Sequence, residues 1–109
     1  MAQNDMYVVM YKILAYIYGC MKKGVEPSDE EWGHAALGIP YPYWFRIVSE
    51  LVGHGYLGGV ELRKSKMGAV ISTSDPYVTM EGVRFMEENS MMSKALAFLR
   101  EAKAAIPMI

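Results

Sequence analysis

The chain has 109 residues, of which 52% are hydrophobic and 21% charged, and its formal net charge at pH 7 is −1. This length and balance predict one globular domain with its own core and exclude an extensively disordered chain. No apolar run approaches the roughly 20 residues that span a bilayer, no basic secretory signal begins the sequence, and a single cysteine, Cys20, excludes an intrachain disulfide. We therefore expect a cytoplasmic protein that does not contact the membrane.

The first predicted helix begins after Asp5 and ends at Gly24, since aspartate favours helix N-caps and glycine favours helix ends. One face is apolar at helical spacing: Met6, Val9, Met10, Ile13, Leu14, Ile17 and Met21. A second stripe beside it consists of Tyr7, Tyr11 and Tyr18. Because little polar face remains, we expect the helix to be covered on two sides. The cover is either other helices of the same chain or a second copy of the protein that contacts the tyrosine stripe.

A short second helix is predicted between Ser28 and Gly38. Ser28 and Glu31 have the spacing of a capping box, in which each side chain bonds an unpaired amide of the first turn. The two prolines that follow, Pro40 and Pro42, predict a stiff turn, because proline fixes its own φ and disfavours helix before it.

The third predicted helix runs from about Pro42 to His54, with Gly55 as its terminator. Its inner face is apolar: Trp44, Ile47, Val48 and Leu51. Its outer face consists of Arg46, Ser49, Glu50 and Gly53, with Phe45 and Val52 at the flank. This helix therefore has the amphipathic pattern of a helix that packs on a core and exposes one face.

A hairpin follows the third helix. Residues 56–62 and 69–72 predict two strands, and the basic segment 63–68 predicts the tip that joins them. The glycine pair at 58–59 predicts a bulge or a sharp twist, and a turn is predicted at 74–76.

Two helices are predicted at the end of the chain. Thr79 caps a fourth helix that extends to about Asn89, and Ser90 begins a fifth that Pro107 ends. The fifth has an apolar face: Met92, Ala95, Leu96, Leu99, Ala102 and Ile106. The element order predicts a mainly α fold with a small β-hairpin (α+β), that is, a winged helix-turn-helix with an extra C-terminal helix pair. We predict a single domain over residues 1–109, with a core at 5–89 and the C-terminal helix at 90–106.

Several segments also match a known family. They are Val78-Thr79-Met80-Glu81-Gly82-Val83-Arg84-Phe85-Met86-Glu87-Glu88-Asn89-Ser90, Ser93-Lys94-Ala95, Ala105-Ile106-Pro107, Gly55-Tyr56-Leu57 and Tyr11-Lys12-Ile13-Leu14. With these segments the chain resembles the YjcQ-like family of small bacterial and prophage-associated winged-helix proteins. The resemblance implies a winged helix-turn-helix fold with added terminal helices, and members of the family look like DNA-binding proteins. It brings no catalytic residue and no cofactor.

The basic residues indicate duplex DNA as a partner. Of the segments 1–40, 41–68 and 69–109, only 41–68 has more basic than acidic side chains: Arg46, Arg63, Lys64 and Lys66 against Glu50 and Glu61. On the third helix, Arg46 and Ser49 are the candidate readers of base edges. On the hairpin, the candidates for phosphate contact are Arg63, Lys64 and Lys66. The alternatives are a solvated Arg46–Glu50 helix pair and cations that protect the strand edges.

Two other functions are open to the same fold. A protein-interaction module without DNA binding would use Tyr43, Phe45 and Val52, since aromatic and apolar side chains are enriched at interfaces. An enzyme is not expected, because His34 and His54 have no serine or cysteine partner at a known catalytic spacing. No metal site and no cofactor are predicted. The expected function is thus that of a DNA-binding transcriptional regulator of bacterial or prophage origin. Homodimerisation is expected through the stripe of Tyr7, Tyr11 and Tyr18 or through the terminal helix.

Overall fold

The computed structural model describes residues 5–65 and 68–89. Within these ranges the elements are α1 (Met6–Lys23), α2 (Asp29–Trp32), α3 (His34–Leu37), α4 (Tyr41–Gly53), β1 (Leu57–Ser65), β2 (Gly68–Val78) and α5 (Met80–Glu88). The predicted fold class is confirmed: the fold is α+β and winged-helix-like, with mostly helix and one antiparallel hairpin. The predicted C-terminal helix at 90–106 lies outside the described residues. Within the described ranges, no helix combines the length and the apolarity needed to cross a bilayer.

Helix α1 begins and ends where the sequence predicts. Gly24 adopts a left-handed conformation with φ 72°, and the amide of Val25 bonds the carbonyl of Cys20 at 3.0 Å. One long face is buried: Val8, Val9, Met10, Ile13, Leu14, Ile17 and Cys20. The helix packs against α4, α5 and β2. Met6 and Met21, at the two ends of the predicted apolar face, are exposed.

The second predicted helix is wrong in its continuity, because the structure divides it into α2 and α3 at an extended Gly33 (φ −75°, ψ 174°). The carbonyl of Trp32, which a continuing helix would use internally, instead accepts the buried indole N–H of Trp44 at 3.0 Å. The predicted capping box is also wrong. The Ser28 side chain makes no cap bond, and the Glu31 amide donates to the Ser28 carbonyl oxygen at 3.0 Å.

Helix α4 lies at the centre of the molecule. Its predicted inner face is confirmed, since Trp44, Ile47, Val48 and Leu51 are all buried. They pack with the inner face of α1 and with Trp32, whose ring centre lies 5.7 Å from that of Trp44. Beyond the helix, the chain turns at Gly55 with φ 75°, a conformation that favours glycine. The buried face of α4 therefore fixes which of its side chains point away from the core.

The hairpin is longer than the sequence predicts. Strand pairing runs from Leu57 opposite Val78 to Ser65 opposite Gly68. The predicted turn at 74–76 is wrong, because these residues form a bulge within β2. At the bulge, Gly59 has φ 74°, and a Cβ there would overlap the carbonyl oxygen of Asp75. The predicted bulge at the glycine pair 58–59 is confirmed, and the close approach explains why a glycine is needed.

Helix α5 is attached to the rest of the domain through its first turn. The Thr79 hydroxyl oxygen accepts the Gly82 amide at 3.1 Å, and the same hydroxyl donates to the carbonyl of Gly55. The Thr79 amide bonds the carbonyl oxygen of Tyr56 at 3.1 Å. One turn further on, the buried ring of Phe85 lies 5.0 Å from the Tyr56 ring. The predicted cap at Thr79 is thus confirmed, and the Thr-x-x-Gly-x-x-Phe spacing has a packing explanation.

Replacing Thr79 with alanine should lower the free energy of unfolding by about 1–2 kcal/mol, because the variant loses both the cap of α5 and the bond to Gly55. Urea denaturation followed by circular dichroism measures the change. Thr79→Ser keeps the hydroxyl and should lose less than half as much. Equal losses in the two variants would contradict the role of the hydroxyl.

Candidate nucleic-acid interface

The face of α4 opposite the core carries a stripe of three polar residues at successive i, i+4 positions. Arg46 Nε lies 3.6 Å from Glu50 Oε1, and His54 Nε2 lies 3.3 Å from Glu50 Oε2. The side chain of Arg46 is 72% exposed. Glu50 therefore partly compensates the one arginine on this face, as the solvated-pair alternative anticipated. An exposed pair of this kind contributes only about 0.2–0.5 kcal/mol, so Arg46 can exchange its partner at little cost.

Ser49 is less available than the sequence suggests. Its hydroxyl donates to the carbonyl oxygen of Phe45 at 2.7 Å and is partly buried. The hydrogen is thus used within the helix, and only the acceptor lone pairs of the oxygen remain. Ser49 could accept from a base amino group but could not donate to a base at the same time.

On the hairpin, the structure places two of the three predicted cations on β1. Arg63 pairs with Val70 across the strands, and Lys64 pairs with Ala69. The Arg63 guanidinium is 75% exposed and lies 3.3 Å from the carboxylate of Glu61. The side chain of Lys64 and all of Lys66 lie outside the described residues. Arg63 is therefore placed on an exposed strand rather than at the tip, which contradicts its predicted position at 63–68.

His54 completes the stripe, although the sequence analysis does not include it among the candidate interface residues. Its ring stacks on that of Tyr56, with centres 5.6 Å apart and planes 19° apart. The imidazole is thus held between a carboxylate and an aromatic ring while its side chain stays 60% exposed. The i, i+4 spacing from Glu50 was a signal that could have identified this arrangement.

The residues of the alternative protein-interaction surface do not form an exposed patch. Phe45 is only 9% exposed, and its ring lies 6.4 Å from that of Tyr41. Tyr43 and Val52 are half-buried and pack against the core. Phe45 belongs to the core side of α4, so this surface lacks the accessible aromatic ring on which the alternative depends.

The tyrosine stripe of α1 is unevenly accessible. Tyr7 is 61% exposed, and its ring lies 6.0 Å from that of Phe85. Tyr11 and Tyr18 are half-buried. Tyr18 packs against the core, and the ammonium of Lys22 lies 4.8 Å from the centre of its ring. Much of the cover over this stripe therefore comes from the same chain, and a dimer contact through it stays a prediction.

The described residues contain no group of three or more histidine, cysteine, aspartate or glutamate side chains that could hold a metal ion. The candidate interface is formed by α4 and the hairpin. Its charged groups are Arg46, Glu50, Glu61 and Arg63, and His54 lies beside Glu50.

A helix with one exposed face, followed by a hairpin and a capped helix, defines a winged-helix-like protein. The family model described as "YjcQ protein" matches residues 11–105, and the chain belongs to this family. Comparison with curated proteins finds no match, and comparison with solved structures finds none.

Proposed function

We propose that the protein binds duplex DNA, with α4 in the major groove and the basic hairpin on the phosphate backbone, and that it regulates bacterial or prophage transcription without being an enzyme. The observation that carries the proposal is the location of the basic side chains. The exposed Arg46 and the hairpin cations belong to residues 41–68, where basic side chains outnumber acidic ones, whereas acidic side chains are in excess over residues 1–40 and 69–109. In winged helix-turn-helix proteins these elements face the nucleic acid.

The two elements would contribute differently. Arg46 could leave Glu50 and donate two hydrogen bonds to the O6 and N7 atoms of a guanine. Arg63 and its neighbours would contact phosphates, which supply affinity but carry no sequence information. Glu50 opposes binding because its carboxylate repels phosphate, although it could accept from the amino group of a cytosine. In this proposal α4 contacts few bases, and the hairpin supplies most of the affinity for DNA.

Three hairpin cations correspond to a salt slope of only about three in a plot of log affinity against log salt concentration. We infer that two copies of the protein bind the same DNA duplex. The second copy doubles the number of phosphate contacts and so raises the affinity, while each copy keeps the same contacts. The exposed Tyr7 is the best-placed residue of the predicted dimer contact. The alternative of a protein-interaction module loses support because Phe45 is buried.

A fluorescence-anisotropy titration with a mixed-sequence duplex at about 50 mM and about 200 mM salt tests the proposal. We expect saturable binding at the lower concentration and a loss of about tenfold or more in affinity at the higher one. No binding at the lower salt concentration would contradict the proposal.

Glu50→Gln should raise the affinity for DNA by about 3- to 10-fold, because the change removes a charge that repels phosphate and releases Arg46. Glu30→Gln is the matched control: it removes an equal charge from exposed α2 and should change affinity less than about twofold. The same anisotropy assay measures both variants. An unchanged affinity for Glu50→Gln would place α4 away from the DNA.

A further inference from the structure

Helix α1 is buried on two opposite sides. Ile17 is 0% exposed and belongs to the core, and Val8 is 2% exposed. The two residues are nine positions apart, which is two and a half turns of helix, so their side chains point in opposite directions. The core that buries Ile17 therefore cannot be what covers Val8. On the same side as Val8, Tyr11 and Ala15 are half-buried, and we call these three residues the outer face of α1.

The described chain ends beside the first turn of α1. The Val78 amide lies 3.2 Å from the sulfur of Met21, near the end of α1, and the Phe85 ring lies 6.0 Å from the Tyr7 ring, near its start. Helix α5 thus runs antiparallel to α1. Asn89, which follows α5, lines the same hollow as Tyr7. The residues after Asn89 therefore begin next to the end of α1 at which Val8 lies.

The sequence that follows has the pattern needed to cover an apolar face. Residues 90–109 lie outside the described ranges, and the sequence predicts a helix at 90–106. In it Met92, Leu96 and Leu99 recur at spacings of four and three, which places them on one side of a helix. The outer face of α1 has the complementary spacings of three and four. Helices joined by a short connection lie side by side and antiparallel, so a helix after α5 would run parallel to α1.

We propose that residues 90–106 pack on the outer face of α1 of the same copy. Their apolar residues Met92, Leu96 and Leu99 contact this face. Because the segment is attached beside the outer face, its effective concentration there exceeds that of a second copy. The apolar face of the terminal helix is then used within one copy, and the exposed Tyr7 is left as the contact for a second copy. This inference does not depend on DNA binding, because it concerns α1 alone.

Nuclear Overhauser effects in the unaltered full chain test the proposal. We expect contacts from the methyl groups of Met92 and Leu96 to those of Val8 and to the ring of Tyr11. In an equal mixture of ¹³C-labelled and unlabelled protein, an isotope-filtered spectrum, which records contacts between copies, should lack them. Contacts of Val8 to residues 1–4 alone, or contacts that form between copies, would overturn the proposal.

A pair of matched variants adds a second measurement. Leu96→Asp places a charge against the outer face, where it has no partner, so the contacts of Met92 with Val8 should be lost and the Val8 methyl resonances should shift. Ala97→Asp adds the same charge at a position turned away from the apolar face and should keep these contacts. Contacts that persist in Leu96→Asp, or that both variants lose equally while circular dichroism shows an intact fold, would contradict the proposed packing.

Discussion

Alanine at position 82 should lower the free energy of unfolding by about 2–4 kcal/mol. The first turn of α5 lies so close to the segment between α4 and β1 that a Cβ on Gly82 would overlap the carbonyl oxygen of Tyr56 and lie 2.7 Å from Val78 Cγ1. Because a backbone carbonyl cannot move aside as the end of a flexible side chain can, the first turn of α5 must shift. The movement would strain the bond between the Thr79 amide and the Tyr56 carbonyl and the cap that Thr79 gives to Gly82.

The matched control is Gly19→Ala, four residues before the end of α1. Apart from the neighbouring backbone of α1 itself, no atom of the described part of the chain lies within 4 Å of a Cβ at Gly19. This change should raise the free energy of unfolding by about 0.5–1 kcal/mol, because alanine is a better helix former than glycine. Urea denaturation measures both variants. Similar effects at positions 82 and 19 would show that the contact between α5 and Tyr56 is not tight.

The second large effect concerns DNA. Replacing Arg63, Lys64 and Lys66 together with alanine should lower the affinity for DNA by about 10²- to 10³-fold at about 50 mM salt. The reason is that each cation releases a counterion from a phosphate, and the three contributions act together. An anisotropy titration of the triple variant against the unaltered protein measures the loss.

A second triple variant distinguishes the position of the hairpin cations from their effect on net charge. Lys22, Lys23 and Arg84 are exposed cations on α1 and α5, outside the proposed interface. Their replacement with alanine removes the same formal charge and should weaken binding less than about threefold. Equal losses in the two triple variants would show that only net charge matters and that the hairpin has no special role.

The parts of the fold that local sequence determines were predictable. Apolar spacing gives α1 and the inner face of α4, and Gly24 ends α1 because glycine tolerates a left-handed conformation. Other local predictions are wrong where a group that was expected to bond a neighbouring residue instead forms a hydrogen bond with a residue distant in the sequence. The capping box at Ser28 does not form, and the Ser28 amide donates to the hydroxyl of Tyr16, twelve positions away, at 3.0 Å. Likewise, Trp44 takes the carbonyl of Trp32, and the predicted second helix is divided there.

The candidate sites were predictable to different degrees. The pairing of Arg46 with Glu50 follows from i, i+4 spacing alone. The contact between α2 and β2 could not be predicted, because Asp29 and Thr73, which form it, are 44 positions apart. The burial of Phe45 could not be predicted either, because a side chain at the flank of a helix is buried or exposed according to which elements pack beside it.

The salt dependence of DNA binding tests the proposed role of α4 and the hairpin most directly. For the unaltered protein, log affinity against log salt concentration should fall with a slope of about −3 for one copy and about −6 for two. The variant without Arg63, Lys64 and Lys66 should lose most of that slope. Binding that does not respond to salt, or a slope that the triple variant leaves unchanged, would contradict a basic hairpin that contacts the DNA backbone.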